Sequence, residues 1–198
     1  MHRALKIGPF WAHIPGYETR ADCPRCGVRE SLAHILTECQ APGQDLVWAM
    51  TGSLWYRKTK TWSKPTLEDI LAVGLGTYAK PTTAKRRESI RRLWRIVISE
   101  AAYLIWKLRC ERVIEHTDEG DWEHSRIEIS RRWHMALNRR LQMDLIATRK
   151  SFGLLAHSHL LVLATWSGVI GDEQGLQLDW TRVPRFLQRW ARPIRWQS

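Results

Sequence analysis

A chain of 198 residues, 44% of them hydrophobic, is long enough to close an apolar core, so its stability need not rest on cross-links. Lys and Arg number 31 against 20 Asp and Glu, and the net charge of +11 points to a polyanionic partner, nucleic acid or an acidic membrane. Four cysteines, with Cys110 far from the other three, make a poor disulfide framework. No apolar leader follows Met-His-Arg-Ala-Leu-Lys, so a reduced intracellular protein, cytoplasmic or nuclear, is expected.

In chain order, the first informative stretch is "CPRCGVRESLAHILTEC", Cys23 to Cys39. Its spacing, Cys23-x2-Cys26-x7-His34-x4-Cys39, offers three thiolates and one imidazole, which suits the tetrahedral preference of a structural zinc ion. Pro24 fixes one dihedral of the turn and Gly27 can take a positive φ, so backbone N–H groups can point at the sulfurs, as in a zinc knuckle. Ser31 is placed to cap a short helix that carries His34 and delivers Cys39, leaving Leu32, Ile35 and Leu36 to pack beneath the metal. Four protein ligands close the coordination sphere, and no HExxH or HxE arrangement is present to activate a water, so one structural Zn2+ per chain is expected and a catalytic one is not. Three cysteines that are simply buried are the alternative.

Gln44 to Arg57 reads as a helix with Val47, Met50, Leu54 and Trp55 on one side, and Pro65-Thr66 opens a short one over Leu67 to Val73. A boundary is placed there, dividing a zinc-binding module (1–64) from a helical region (65–198). "GLGTYA", Gly74 to Ala79, formally fits a dinucleotide-binding pattern but follows a helical segment and lacks a βαβ unit, so a loop is expected. From Thr83, Ile90, Trp94, Val97, Ala101, Leu104 and Leu108 step by four and three along one helix face, predicting a helix over about 83–116. After "TDEGD", Ile129, Trp133, Leu137, Leu141 and Leu145 step by four, predicting a second over about 122–149 and an antiparallel hairpin. The fold class is therefore mainly α: a small zinc-knuckle module, then a long helical hairpin. Cys110, Trp94 and Trp133 are read as core residues, and His13, His157 and His159 as non-ligands.

No charged side chain occurs between Lys150 and Asp172, but Gly153, His157, Ser158, His159 and Gly168 dilute that run. Burial in the core is expected there, with no membrane partner. Phosphate-gripping candidates are Arg86, Arg87, Arg91, Arg92 and Arg95 on the first long helix and Arg131, Arg132, Arg139 and Arg140 on the second. The tail adds Arg185, Arg189, Arg192 and Arg195 with Trp190 and Trp196 for stacking. Each cluster could equally be a solvated face.

Residues 8–56, including "FWAHIPGYETRADCPRCGVRESLAHILTEC" and "DLVWAMTGSLW", resemble the zinc-binding region at the C-terminal end of non-LTR retrotransposon reverse transcriptases, in the form found next to ribonuclease H domains in fungal genomes. "YLIWKLRCERVI" and "RRWHMALNRRLQMDL" resemble the helical tail of those polyproteins, extending the likeness to about residue 170. The resemblance implies that Cys23, Cys26, His34 and Cys39 are the metal ligands and that the region helps its protein grip RNA or DNA. The clustered carboxylates that a polymerase or ribonuclease H needs for magnesium are not seen, so a non-enzymatic module without a small-molecule substrate is expected. A helical protein-interaction scaffold, with a dimer allowed, and a degenerate fragment without activity are the alternatives.

Overall fold

The structure is a computed structural model that describes residues 6–75, 84–116, 119 and 122–170, with the backbone alone for 84–87. It is mainly helical. Among the described residues no β-strand forms, and the single extended pairing is an isolated antiparallel bridge between Asp22 and Arg29. Two 3-10 helices, Gly8–His13 and Glu18–Ala21, lead into the cysteine turn, and a π-helical turn, His34–Glu38, follows it. Then come α1 (Gln44–Thr59), α2 (Leu67–Leu71), α3 (Ala84–Cys110), α4 (Arg126–Ala147) and α5 (His159–Trp166).

Each expected helix forms for the reason its sequence suggests. Thr66 and Asp69 make a reciprocal capping box at the start of α2, the side chain of each accepting from the other's backbone N–H at 3.2 and 3.0 Å. In α3 the whole expected stripe is buried: Ile90, Trp94, Val97, Ala101, Leu104 and Leu108. The helix leaves α geometry at Cys110 and runs through a π-helical turn, Glu111–Glu115, to end at His116. The stripe of α4, Ile129, Trp133, Leu137, Leu141 and Leu145, is buried too. This helix begins later than the periodicity suggested, at Arg126, because the Ser125 hydroxyl accepts from the Glu128 N–H at 3.2 Å and caps it. The 122–125 segment is instead shaped by Trp122, whose ring stacks on His116 at 3.7 Å.

Ion pairs fix the hairpin as antiparallel. At one end Arg92 of α3 grips Asp144 of α4 with two hydrogen bonds of 2.6 Å, and at the other Glu111 accepts from Arg132 at 2.6 Å. Asp144 also accepts from the Trp166 indole at 2.7 Å, so one buried carboxylate ties α3, α4 and α5 together. The uncharged run after Lys150 thus supplies core: Val162, Thr165 and Trp166 of α5 are fully buried. No helix among the described residues is long and apolar enough to cross a membrane.

The apolar cluster is continuous from one side of residue 65 to the other. It joins Ile35, Leu36, Val47, Trp48 and Trp55 to Trp94, Ile98, Trp133, Val162 and Trp166. The segment below the cysteines and the helical hairpin therefore share one core. Within it the indole N–H of Trp48 is bonded to the Leu36 carbonyl at 2.7 Å and that of Trp133 to the Thr51 hydroxyl at 3.0 Å.

Gly52 in α1 shows how tightly this core is fitted. A Cβ there would lie 2.5 Å from the Trp62 indole nitrogen, and Trp62 in turn packs beside Trp94, with ring centroids 6.3 Å apart. Overpacking costs about 1–3 kcal/mol, while the better helix propensity of alanine returns about 1 kcal/mol. Gly52→Ala is therefore expected to destabilise the protein by about 1 kcal/mol in urea unfolding. In a Trp62→Leu background the same change should become stabilising. Equal effects in both backgrounds would show that the indole does not constrain this position.

Candidate metal centre

The turn that presents the first two cysteines is built by backbone hydrogen bonds. The Cys23 N–H donates to the Val28 carbonyl and the Gly27 N–H to the Cys23 carbonyl, both at 2.8 Å, while the Glu30 N–H reaches the Ala21 carbonyl at 3.0 Å. Gly27 has φ +67°, the left-handed conformation that the turn needs and that side chains disfavour. Ser31 caps the next segment as expected, its hydroxyl accepting from the His34 N–H at 3.0 Å. The π-helical turn begins at His34, and the Cys39 N–H closes it onto the His34 carbonyl at 2.7 Å.

These elements bring Cys23, Cys26, His34 and Cys39 together, one ligand atom of each lying within 4.8 Å of the others, close enough to hold one metal ion. Cys23 and Cys39 sulfurs are 3.7 Å apart, and all four cysteines of the described chain are free thiols. Backbone N–H groups point at the sulfurs: Gln40 donates to Cys26 and Ala41 to Cys39, each at 3.4 Å. The His34 ring nitrogen Nε2 is buried with no hydrogen-bond partner, a costly arrangement that a metal bond at this atom would remove. Two features of the donor set thus fit a cation: an orphaned imidazole nitrogen and sulfurs already surrounded by dipoles that favour thiolate.

The electrostatics of the four side chains follow from that crowding. Cys23 is lowered to about 4, chiefly because the Cys39 thiol donates a hydrogen bond to it, with a further contribution from His34 and against the effect of burial. Cys39 is pushed up, first because losing its proton would break that same bond and second by burial. The pair therefore retains a proton that a divalent cation would displace. Elsewhere, burial raises the Cys110 thiol, in keeping with a half-buried residue packed in α3. No protein-family model, no curated protein and no solved structure matches the chain.

The arginines singled out in the sequence are placed differently from one another. Arg91, Arg95, Arg131 and Arg139 are exposed, and Arg140 is half-buried. Arg92 has its guanidinium on Asp144, and Arg132 is held by Glu111 at 2.6 Å and Glu128 at 2.8 Å. Arg86 and Arg87 lie on the α3 backbone with side chains outside the described residues, and Arg185, Arg189, Arg192 and Arg195 lie outside them altogether. His157 is exposed and His159 half-buried at the start of α5, and neither joins a ligand cluster among the described residues. Gly74 and Leu75 lie in a turn after α2, while residues 76–79 of "GLGTYA" are outside the description.

Two clusters escaped the sequence reading. Glu30, 1% exposed, accepts from Arg109, 2% exposed, and so ties the cysteine turn to the end of α3. An acid 79 residues from its base leaves no local spacing to find it by. The second is Glu111, His124 and Glu128, with His124 buried between the carboxylates at 3.5 and 3.4 Å and Arg132 bridging both. Here a signal existed, since His124, Glu128 and Arg132 follow one another at i,i+4.

Proposed function

We propose that this chain is a zinc-dependent, non-enzymatic nucleic-acid-binding module of the kind carried by retroelement reverse-transcriptase polyproteins. The observation that carries the reading is the convergence of Cys23, Cys26, His34 and Cys39 in a chain with a net charge of +11. Three sulfurs and one imidazole favour zinc over harder cations, and four protein ligands leave no open position for substrate, so the ion's role is structural. The resemblance of residues 8–56 to the zinc-binding region of such polyproteins supports the same assignment.

Phosphate contacts fall to arginines not committed elsewhere. Arg91 and Arg95 stand one turn apart on α3, and Arg131 and Arg139 two turns apart on α4, all exposed. Arg92 and Arg132 serve the fold instead. Such a surface grips phosphates without reading bases, so single-stranded RNA or DNA should bind with little sequence preference. A fluorescence anisotropy titration of a labelled oligonucleotide across a salt series tests this. Engagement of about five phosphates gives a log-log slope of roughly −3.5, and replacing Arg91 and Arg95 by Gln should flatten it by about 1.4.

One observation favours the second reading, a helical scaffold for a protein partner or a second copy. Ile127, Met135 and Met143 are 74%, 61% and 49% exposed on α4, large apolar side chains left outside the core. An apolar interface responds weakly to salt. Failure to bind any oligonucleotide at low salt would move the scaffold ahead.

A further inference from the structure

A cavity of about 470 Å³ lies between the cysteine turn and the tip of the helical hairpin, a size typical of small-ligand sites. Arg20, Asp22, Pro24 and Arg25 line it from one side. Arg112, His116, Glu119, Trp122 and Glu123 line it from the other.

Its described acids, Asp22, Glu119 and Glu123, equal its arginines in number, but they are not paired one to one. Each described acid in the wall already faces a basic partner: Asp22 has Arg29 at 3.0 Å, Glu119 has His116 at 2.9 Å, and Glu123 has Arg25 at 3.7 Å. Two guanidinium groups in the wall have no carboxylate among the described residues. Arg20 lies over the rings of Tyr17 and Trp11, at 4.6 and 5.3 Å from their centroids, and among the described residues its side chain donates a long 3.5 Å hydrogen bond to the Ile114 carbonyl. Its Nε and the Nε of Arg112 are both buried without a partner. A guanidinium fork with no carboxylate partner is matched by an anion with several acceptor oxygens. Beside these groups the Trp122 ring, stacked on His116 at an interplanar angle of 8°, offers a flat apolar edge.

We propose that this cavity is a binding site for one phosphate group of a nucleotide-sized ligand, with Arg20 and Arg112 as its anion-holding residues. A free nucleotide and a nucleotide unit within a strand present that same group; the second form deepens the nucleic-acid reading and rests on it. Because Pro24 and Arg25 stand between two metal ligands, one wall depends on the metal centre being formed.

The test is calorimetric titration of the zinc-loaded full chain at low salt with inorganic phosphate, adenosine monophosphate and a short single-stranded oligonucleotide. Phosphate and the mononucleotide should bind with 1:1 stoichiometry and shift the indole N–H resonance of Trp122, assigned with Trp122→Phe. Arg20→Gln and Arg112→Gln should each weaken both by about tenfold or more, the effect of losing a charged hydrogen bond, while Lys107→Gln on an exposed part of α3 leaves them unchanged. Arg112→Lys, which keeps the charge but not the fork, should fall between. Should Arg112→Gln fail to fold, Arg20→Gln from the opposite wall and the Trp122 resonance still decide. Mononucleotide binding that survives both substitutions, or no binding of phosphate or mononucleotide, would overturn the site. The outcomes separate from those of the wider reading. Mononucleotide without oligonucleotide binding keeps the cavity and removes the polymer, whereas oligonucleotide binding without mononucleotide binding, indifferent to both arginines, does the reverse.

Discussion

Stripping the metal from Cys23, Cys26, His34 and Cys39 is expected to release the cysteine turn from the rest of the protein and lower the thermal midpoint by about 10 °C or more. Apart from the buried Glu30–Arg109 pair and the packing of Ile35 and Leu36 on the shared core, little else holds the residues around the sulfurs. The turn's own apolar cluster consists of Cys23, Cys39 and Ala41 with Cys26 against them, and its only strand-like pairing is the Asp22 to Arg29 bridge. So small a cluster cannot by itself offset the ordering of the residues around it at roughly 1–2 kcal/mol each, so metal-binding free energy adds to the folding free energy of this segment. The stripes of α3 and α4 pack on each other and on α1, so most helical circular dichroism should persist. Loading should also expel protons, because Cys39 holds one in the metal-free site and cannot in the bound one. The sign follows directly: the metal-free form binds more protons, so metal affinity falls as pH falls. Competition with a chromophoric chelator at pH 8 and pH 6 checks the sign, and calorimetric scans with and without chelator check the midpoint. An unchanged midpoint after verified metal removal would mean that the sulfurs are merely buried.

How much of this was legible beforehand depended on the range of the interaction. The α3 and α4 stripes could be read because helix periodicity is local, and all eleven stripe positions named from it are buried. The candidate metal centre was readable for the same reason: its four residues fall within one short segment, and Gly27 and Ser31 carry the turn and the cap that bring them together. The fate of individual arginines was not readable. Arg92 and Arg91 are neighbours with the same side chain, yet one grips Asp144 from 52 residues away and the other is exposed. Only the crossing of α3 and α4 decides which is which. The continuity of the core across residue 65 was hidden likewise, since Leu36 and Trp48 meet the hairpin through contacts that no local pattern encodes.

One of the contacts across residue 65 is also the one whose loss should cost most among single substitutions in the core. Glu30→Ala is expected to destabilise the protein by about 3–5 kcal/mol, because Arg109, 2% exposed, would be left as a buried charge without its counterion. Both Nε, at 2.8 Å, and Nη2 of Arg109 donate to the same Glu30 oxygen, so removing the carboxylate orphans two donors at once. Glu30→Gln keeps an acceptor but not the charge and should cost less. The pair as a whole is worth far less than either half, since its Coulomb attraction is offset by the desolvation of two ions. Replacing both together, Glu30→Leu with Arg109→Met, should therefore be close to neutral in the long helices' stability. The cysteine turn adds a second readout. Glu30 lies between the turn and His34, so the Ala variant should bind metal more weakly as well, whereas the double replacement restores apolar contact and recovers part of that affinity. A double-mutant cycle in urea gives the coupling energy. A single-substitution cost below about 1 kcal/mol, within the range of exposed ion pairs, would show that water reaches Arg109 and that the turn is not anchored to α3 through this pair.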